Sequence, residues 1–167
     1  MSHQPTMWPV DKTELYDLLA KQAAALTAGC PLPLPAMANA AALLWEALPD
    51  INWAGFYLAK DETLFLGPFQ GKTACTIISF GRGVCGTAAA SRQIQVVEDV
   101  HQFPGHIACD SASNSEIVLP LIVKEKLVGV LDIDSPRLNR FDALDAQGLS
   151  AICQVLTQQV DWSHGLL

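Results

Sequence analysis

Three thiols and three acids hold the chemistry that this sequence can do. Cys75, Cys85 and Cys109 stand in glycine-rich and polar segments between apolar runs, where a backbone loops and a sulfur is reachable. Asp132 and Asp134 interrupt the apolar run Leu127-Val128-Gly129-Val130-Leu131-Asp132-Ile133-Asp134, and Glu116 opens another. Burying an ionised carboxylate is costly unless it is paired or functional. A thiolate is a nucleophile, and a carboxyl crowded by other acids in an apolar pocket can hold a proton at neutral pH. Reachable thiols beside semi-buried acids therefore point to thiol redox chemistry on a small polar substrate.

Each of these residues also has a plainer reading. Cys109 lies beside Asp110 and Ser111, with His106 three residues before it, and this polar loop favours a catalytic thiol over a packed hydrophobe. Cys85 follows Gly81-Arg82-Gly83 at the start of a helix, where the helix dipole and Arg82 are expected to lower its pKa. Cys75 is expected near the start of a strand. For both, packing between helix and sheet is the alternative. Gly81-Arg82-Gly83 lacks the spacing of either known phosphate fingerprint. Cys30 and Cys153 read as spectators. No cysteine pair has Cys-x-x-Cys spacing, and His106-Ile107-Ala108-Cys109 alone is a weak zinc signal, so neither a metal nor an organic cofactor is expected. His101 and His106 read as solvated loop residues, or for His106 as a polar pocket rim.

Glu116 is the best candidate acid. Asp132 and Asp134, two residues apart on one strand, share a face. Glu116 joins them if Lys124-Glu125-Lys126 is a three-residue loop, or if a two-residue loop Lys124-Glu125 is offset by a bulge, for which Pro120 is a plausible site. Asp134 could instead merely begin a turn at Ser135-Pro136. Trp53 and Tyr57 lie four residues apart on one strand face, where core packing is the usual role.

The elements that must position these groups follow from the pattern around them. Asp11-Lys12-Thr13-Glu14 opens a helix whose stripe is Leu15, Leu18, Leu19 and Leu26, ended by Gly29. Cys30 to Pro35 is expected to be an extended link, and Ala36 to Leu48 a second helix. Strands are expected at Ile51–Ala59, Thr63–Phe69, Ala74–Phe80, Gln93–Val97, Ile117–Val123 and Leu127–Ile133, with a small-residue helix ending near Ser91. Glu98 to Ser115 is too long for a casual connection, and Asp142 to Val160 is an amphipathic helix. Helices at both ends around hairpin-connected strands give an α+β fold, a single domain over residues 11–160 with a central, mostly antiparallel six-stranded sheet and an N-terminal tail over 1–10.

Bulk properties narrow the partners. A chain of 167 residues with 50% hydrophobic and 16% charged residues is no disordered polymer. A net charge of −7, with no basic block, argues against nucleic acid and anionic membranes as partners. The N-terminus has neither a basic region nor an apolar core, and no apolar stretch approaches the roughly 18 residues of a membrane span. A cytoplasmic location is expected, where five cysteines are more often free or catalytic than structural.

Asn52-Trp53-Ala54-Gly55-Phe56-Tyr57, Gly83-Val84-Cys85-Gly86, His106-Ile107-Ala108-Cys109-Asp110 and Gly129-Val130-Leu131-Asp132-Ile133-Asp134-Ser135 resemble the GAF-domain enzymes that reduce free methionine-(R)-sulfoxide. The similarity runs from about Leu15 to Val160. The three cysteines with Trp53, Glu116, Asp132 and Asp134 are its specific part. The resemblance implies that Cys109 attacks the sulfoxide sulfur and becomes a sulfenic acid. It further implies that Cys75 chiefly closes a disulfide with Cys109, that Cys85 can serve in place of Cys75, and that thioredoxin supplies electrons. It makes Trp53 a wall against the substrate methyl group, with Tyr57 a weaker part of the same pocket. Three carboxylates explain the choice of a free amino acid, since an α-ammonium needs an anion. The substrate carboxylate is left to backbone N–H groups or Arg82. A small-ligand GAF sensor and a redox-sensing regulatory module are the alternatives. A homodimer is compatible with these residues, which do not fix the oligomeric state.

Overall fold

Apolar alternation along the strands divides the molecule into two unlike faces. The computed structural model describes residues 7–107 and 110–163. Among these, six strands form one antiparallel sheet: β1 (Trp53–Lys60), β2 (Thr63–Gly71), β3 (Ile77–Ser79), β4 (Gln95–Val97), β5 (Ser115–Val123) and β6 (Lys126–Ser135), ordered β3-β2-β1-β6-β5-β4. Ala54, Phe56, Ile117, Leu119, Leu131 and Ile133 point to one face. There they form the main core with α1 (Lys12–Thr27), α2 (Pro33–Ala47) and α4 (Ala143–Gln159). Trp53, Tyr57, Val118 and Val130 point to the other, which the short helix α3 (Gly83–Ser91) covers through Val84, Cys85, Ala88 and Ala89. No helix of the described residues is long and apolar enough to cross a membrane.

The helices begin and pack for identifiable reasons. The Asp11 carboxylate accepts from the Glu14 N–H, and Asp142 makes a full capping box with Asp145. Buried Asp145 also accepts from Tyr16 Oη (2.8 Å), Lys12 Nζ (2.6 Å) and Arg140 Nη1 (3.2 Å), which ties α1 to α4. Two helix expectations are corrected. Pro33 and Pro35 lie inside α2, because N–H groups of a first turn have no helical partner to lose. Leu26 is 45% exposed, and the buried stripe of α1 is instead Leu15, Tyr16, Leu19, Ala23 and Thr27.

The β5–β6 register decides where the acids go. Val123 pairs with Lys126, so Lys124 and Glu125, both at positive φ, form a two-residue loop. Leu121 pairs with Gly129 but Ile122 with Leu127, which leaves Val128 as an extra residue in β6. This bulge restores parity, and Glu116 sits directly opposite Asp134. It lies one step from Pro120, which itself pairs regularly with Val130. Strand β3 is shorter than expected and begins at Ile77, so Cys75 lies in the loop that precedes it.

Candidate active site

Neighbouring strands set out the site in rows on the α3 face. Trp53 of β1, Asp134 of β6 and Glu116 of β5 stand side by side; the next row is Gly55, Asp132 and Val118. Gly55 contributes no side chain beside Asp132, and a Cβ there would overlap Phe69 and the Trp53 ring. The Trp53 indole stacks between Phe69 (5.2 Å between centroids) and Tyr57 (5.8 Å) and donates from Nε1 to the Lys72 carbonyl. Trp53 and Tyr57 wall a cavity of about 30 Å³ whose floor is Cys85, Glu116, Asp132 and Asp134, and whose rim includes Ala74, Arg82, His106 and Asp110.

The floor keeps its negative charge close together and unneutralised. Glu116 and Asp132 are each 6% exposed, and Asp132 Oδ1 has no hydrogen-bond partner. Burial first, and the neighbouring acids second, push Glu116 well above the ordinary carboxylate range. Asp134 moves up for the same reasons, and burial raises Asp132 to about 7. Like charges placed directly opposite on paired strands destabilise a sheet, so this arrangement has to be explained by what it binds or does.

Cys85 overturns one expectation. It occupies the third position of α3, but its thiol is buried and points at Glu116 Oε1, 3.9 Å away. Burial and the charges of Asp132 and Glu116 raise its pKa well above the usual thiol value, opposite to the lowering expected from the helix dipole and Arg82. Cys85 Sγ and one carboxylate oxygen each of Glu116 and Asp132 lie within 4.8 Å of one another. Cys75 is disulfide-bonded, whereas Cys30, Cys85 and Cys153 are free. Cys153 packs in the core on the opposite face of the sheet. The expectation for Cys109 falls outside the described residues.

The contacts that hold the long loop against β1 were not apparent from the sequence. Asn52 donates from Nδ2 to Asp110 Oδ2 (3.1 Å) and Ser113 Oγ (3.0 Å), joining the start of β1 to the long loop. Asp110 also accepts from the Ala112 N–H at 2.9 Å, which holds its carboxyl below the usual range. Asp-Ser-Ala-Ser is an Asx-turn sequence, and that was the available signal. His106 reaches the rim beside His101, and burial lowers its pKa.

A family model for the GAF domain matches residues 38–161. The chain is 61% identical to the free methionine-R-sulfoxide reductase of Escherichia coli strain K12 over 140 residues, 84% of this chain and 85% of that one. It is 47% identical to the Saccharomyces cerevisiae protein of the same name over 130 residues, 73% and 72% of the two chains. The solved free methionine-R-sulfoxide reductase of Neisseria meningitidis, in complex with its substrate, superposes with a TM-score of 0.89 at 42% identity, covering 95% of each chain. The chain therefore belongs to the GAF-domain family of free methionine-R-sulfoxide reductases.

Proposed function

We propose that this protein reduces free L-methionine-(R)-sulfoxide to L-methionine in the cytoplasm, with a functional unit running from Asp11 to Val160. The observation that carries this reading is the row of Trp53, Asp134 and Glu116, with Asp132 beside it, on the floor of one cavity. A free amino acid brings an ammonium to such a floor, and an internal peptide methionine brings none. Asp132 and Asp134 are assigned the ammonium, and Trp53 with Tyr57 the apolar end of the substrate.

The chemical step needs a nucleophile at sulfur and a proton at oxygen. Cys109 is assigned the attack. The S–O bond breaks as its oxygen passes to the cysteine, which becomes a sulfenic acid, and methionine leaves. Glu116 is the proton donor, because burial among acids raises its carboxyl well above the ordinary range and favours the protonated form. Cys75 then attacks the sulfenic acid, expelling water and forming an intramolecular disulfide that thioredoxin reduces. Support comes from Cys75, which is disulfide-bonded while Cys30, Cys85 and Cys153 are free. In this form the cavity has room for roughly two water molecules. Substrate entry accordingly follows reduction, with the segments around Cys75 and His106 moving apart.

The test is selectivity under turnover. With dithiothreitol as reductant, the free (R)-sulfoxide is expected to be consumed. The N-acetylated (R)-sulfoxide and the free (S)-sulfoxide should react at least tenfold more slowly, since a site left with an unpaired buried charge discriminates strongly. Equal rates for free and N-acetylated substrates would remove the acids from ammonium recognition and the assignment with them.

A further inference from the structure

We propose that the floor of the cavity is also a binding site for a thiophilic divalent cation, Zn²⁺ as the physiological ion, held by Cys85, Glu116 and Asp132. The three donors come from three elements: α3, β5 and β6. Their ligand atoms lie within 4.8 Å of one another, all three residues are buried, and Cys85 Sγ is 3.9 Å from Glu116 Oε1. Around a tetrahedral zinc, with bonds of about 2.0 Å to oxygen and 2.3 Å to sulfur, such donors stand about 3.5 Å apart. The Cys85–Glu116 pair is a few tenths of an ångström wider than this, and closing the triad draws in the remaining donors from separations of up to 4.8 Å.

Two further observations point to a cation. Asp132 Oδ1 is buried without a hydrogen-bond partner, so this carboxylate has unsatisfied lone pairs. Among the described residues, no ion pair joins Glu116 or Asp132 to a Lys or Arg. The sulfur selects for the softer ions over Mg²⁺ and Ca²⁺, which take oxygen donors. All three residues line the cavity, which has room for a water in a fourth position. Coordination sends the Cys85 proton, and any proton shared by the two carboxyls, to solvent; nothing is oxidised or reduced. Cys85 is a free thiol in the form that has Cys75 in a disulfide, so the site exists in the oxidised protein. Ion binding does not depend on the proposed reductase reading, but competition with substrate does.

The experiment titrates the full-length, non-reduced protein with Cd²⁺, following the ultraviolet charge-transfer band of a cadmium–thiolate bond, and then displaces it with Zn²⁺. One equivalent per chain is expected. The band should vanish in Cys85→Ser and persist in Cys30→Ser. Glu116→Gln and Asp132→Asn keep the thiol and should each weaken binding about tenfold or more. Absence of a band, a band that survives Cys85→Ser, or unchanged affinity in both carboxylate variants would overturn the site. In a Cys75→Ser/Cys109→Ser double variant, free methionine-(R)-sulfoxide should displace the ion. Cadmium that binds but resists displacement upholds the metal site and counts against ammonium recognition by these acids. Normal turnover by a wild-type protein with no cadmium band overturns the metal site alone.

Discussion

A thiol in the first turn of a helix, close behind an arginine, would ordinarily be poised toward the thiolate, with the macrodipole contributing about 0.3–1 kcal/mol. Cys85 has that position and moves the other way. One pKa unit is worth about 1.4 kcal/mol, so even a modest rise from burial beside Asp132 and Glu116 outweighs the dipole. The sequence puts Cys85 at the helix start, but it does not show what lies across the gap, because β5 and β6 come later and their register was open. Cys85 therefore stays a protonated thiol in this environment and is a poor first nucleophile. Cys109→Ser should accordingly release no methionine from reduced protein in a single turnover. Cys85→Ser should retain most of that yield. Cys75→Ser should complete the first turnover and then cycle at least tenfold more slowly with thioredoxin, with a small thiol rescuing it. Rapid-quench yields would check all three, and a normal yield from Cys109→Ser would move the attack to another sulfur.

Among the elements, both hairpins that frame the site turn on residues that dislike the turn. Asp61-Glu62 and Lys124-Glu125 all have φ between 47° and 66°. For an L-residue this left-handed conformation costs roughly 1–2 kcal/mol, and Asn-Gly is the sequence that meets it with least strain. Replacing Asp61-Glu62 with Asn-Gly leaves the backbone bond from the Phe80 N–H to the carbonyl of residue 62 in place. The variant should gain a few degrees in Tm by calorimetry with unchanged activity; a loss would show that the side chains matter. The β1–β2 hairpin was readable because the polar residues Lys60, Asp61 and Glu62 separate the apolar runs expected as strands at Ile51–Ala59 and Thr63–Phe69. The β5–β6 bulge was not, since an extra Val128 between Leu127 and Gly129 leaves the apolar composition of the run unaltered. Proline misled in the opposite direction: its effect depends on the turn it occupies, and at the start of α2 it removes no helical bond.

Over the whole molecule, two buried acid clusters follow opposite designs. Asp145, at the α1–α4 junction, is met by Lys12, Arg140 and the Tyr16 hydroxyl, and ties the helices together. Glu116, Asp132 and Asp134 are met chiefly by one another, so the site weighs against folding wherever they ionise. In the unfolded chain such carboxyls titrate near pH 4. In the folded protein Asp132 titrates at about 7, and Glu116 and Asp134 are raised as well. Between those limits the native state binds more protons than the unfolded one. The stabilising contribution is therefore complete below about pH 4 and is lost as pH rises through the folded values. Glu116→Gln removes one of these protonation demands and keeps the shape of the side chain. At about pH 8 its Tm should exceed that of the wild type, by roughly 2–4 °C for each kcal/mol recovered. Below about pH 3, where the wild-type carboxyl is protonated in both states, the difference should vanish. The same substitution should lower kcat by about tenfold or more, because an amide has no proton to give the leaving oxygen. Calorimetry across that range, paired with steady-state kinetics, would show both effects in one variant. A gain that persisted unchanged at low pH would mean that repacking, and not relief of charge, was responsible.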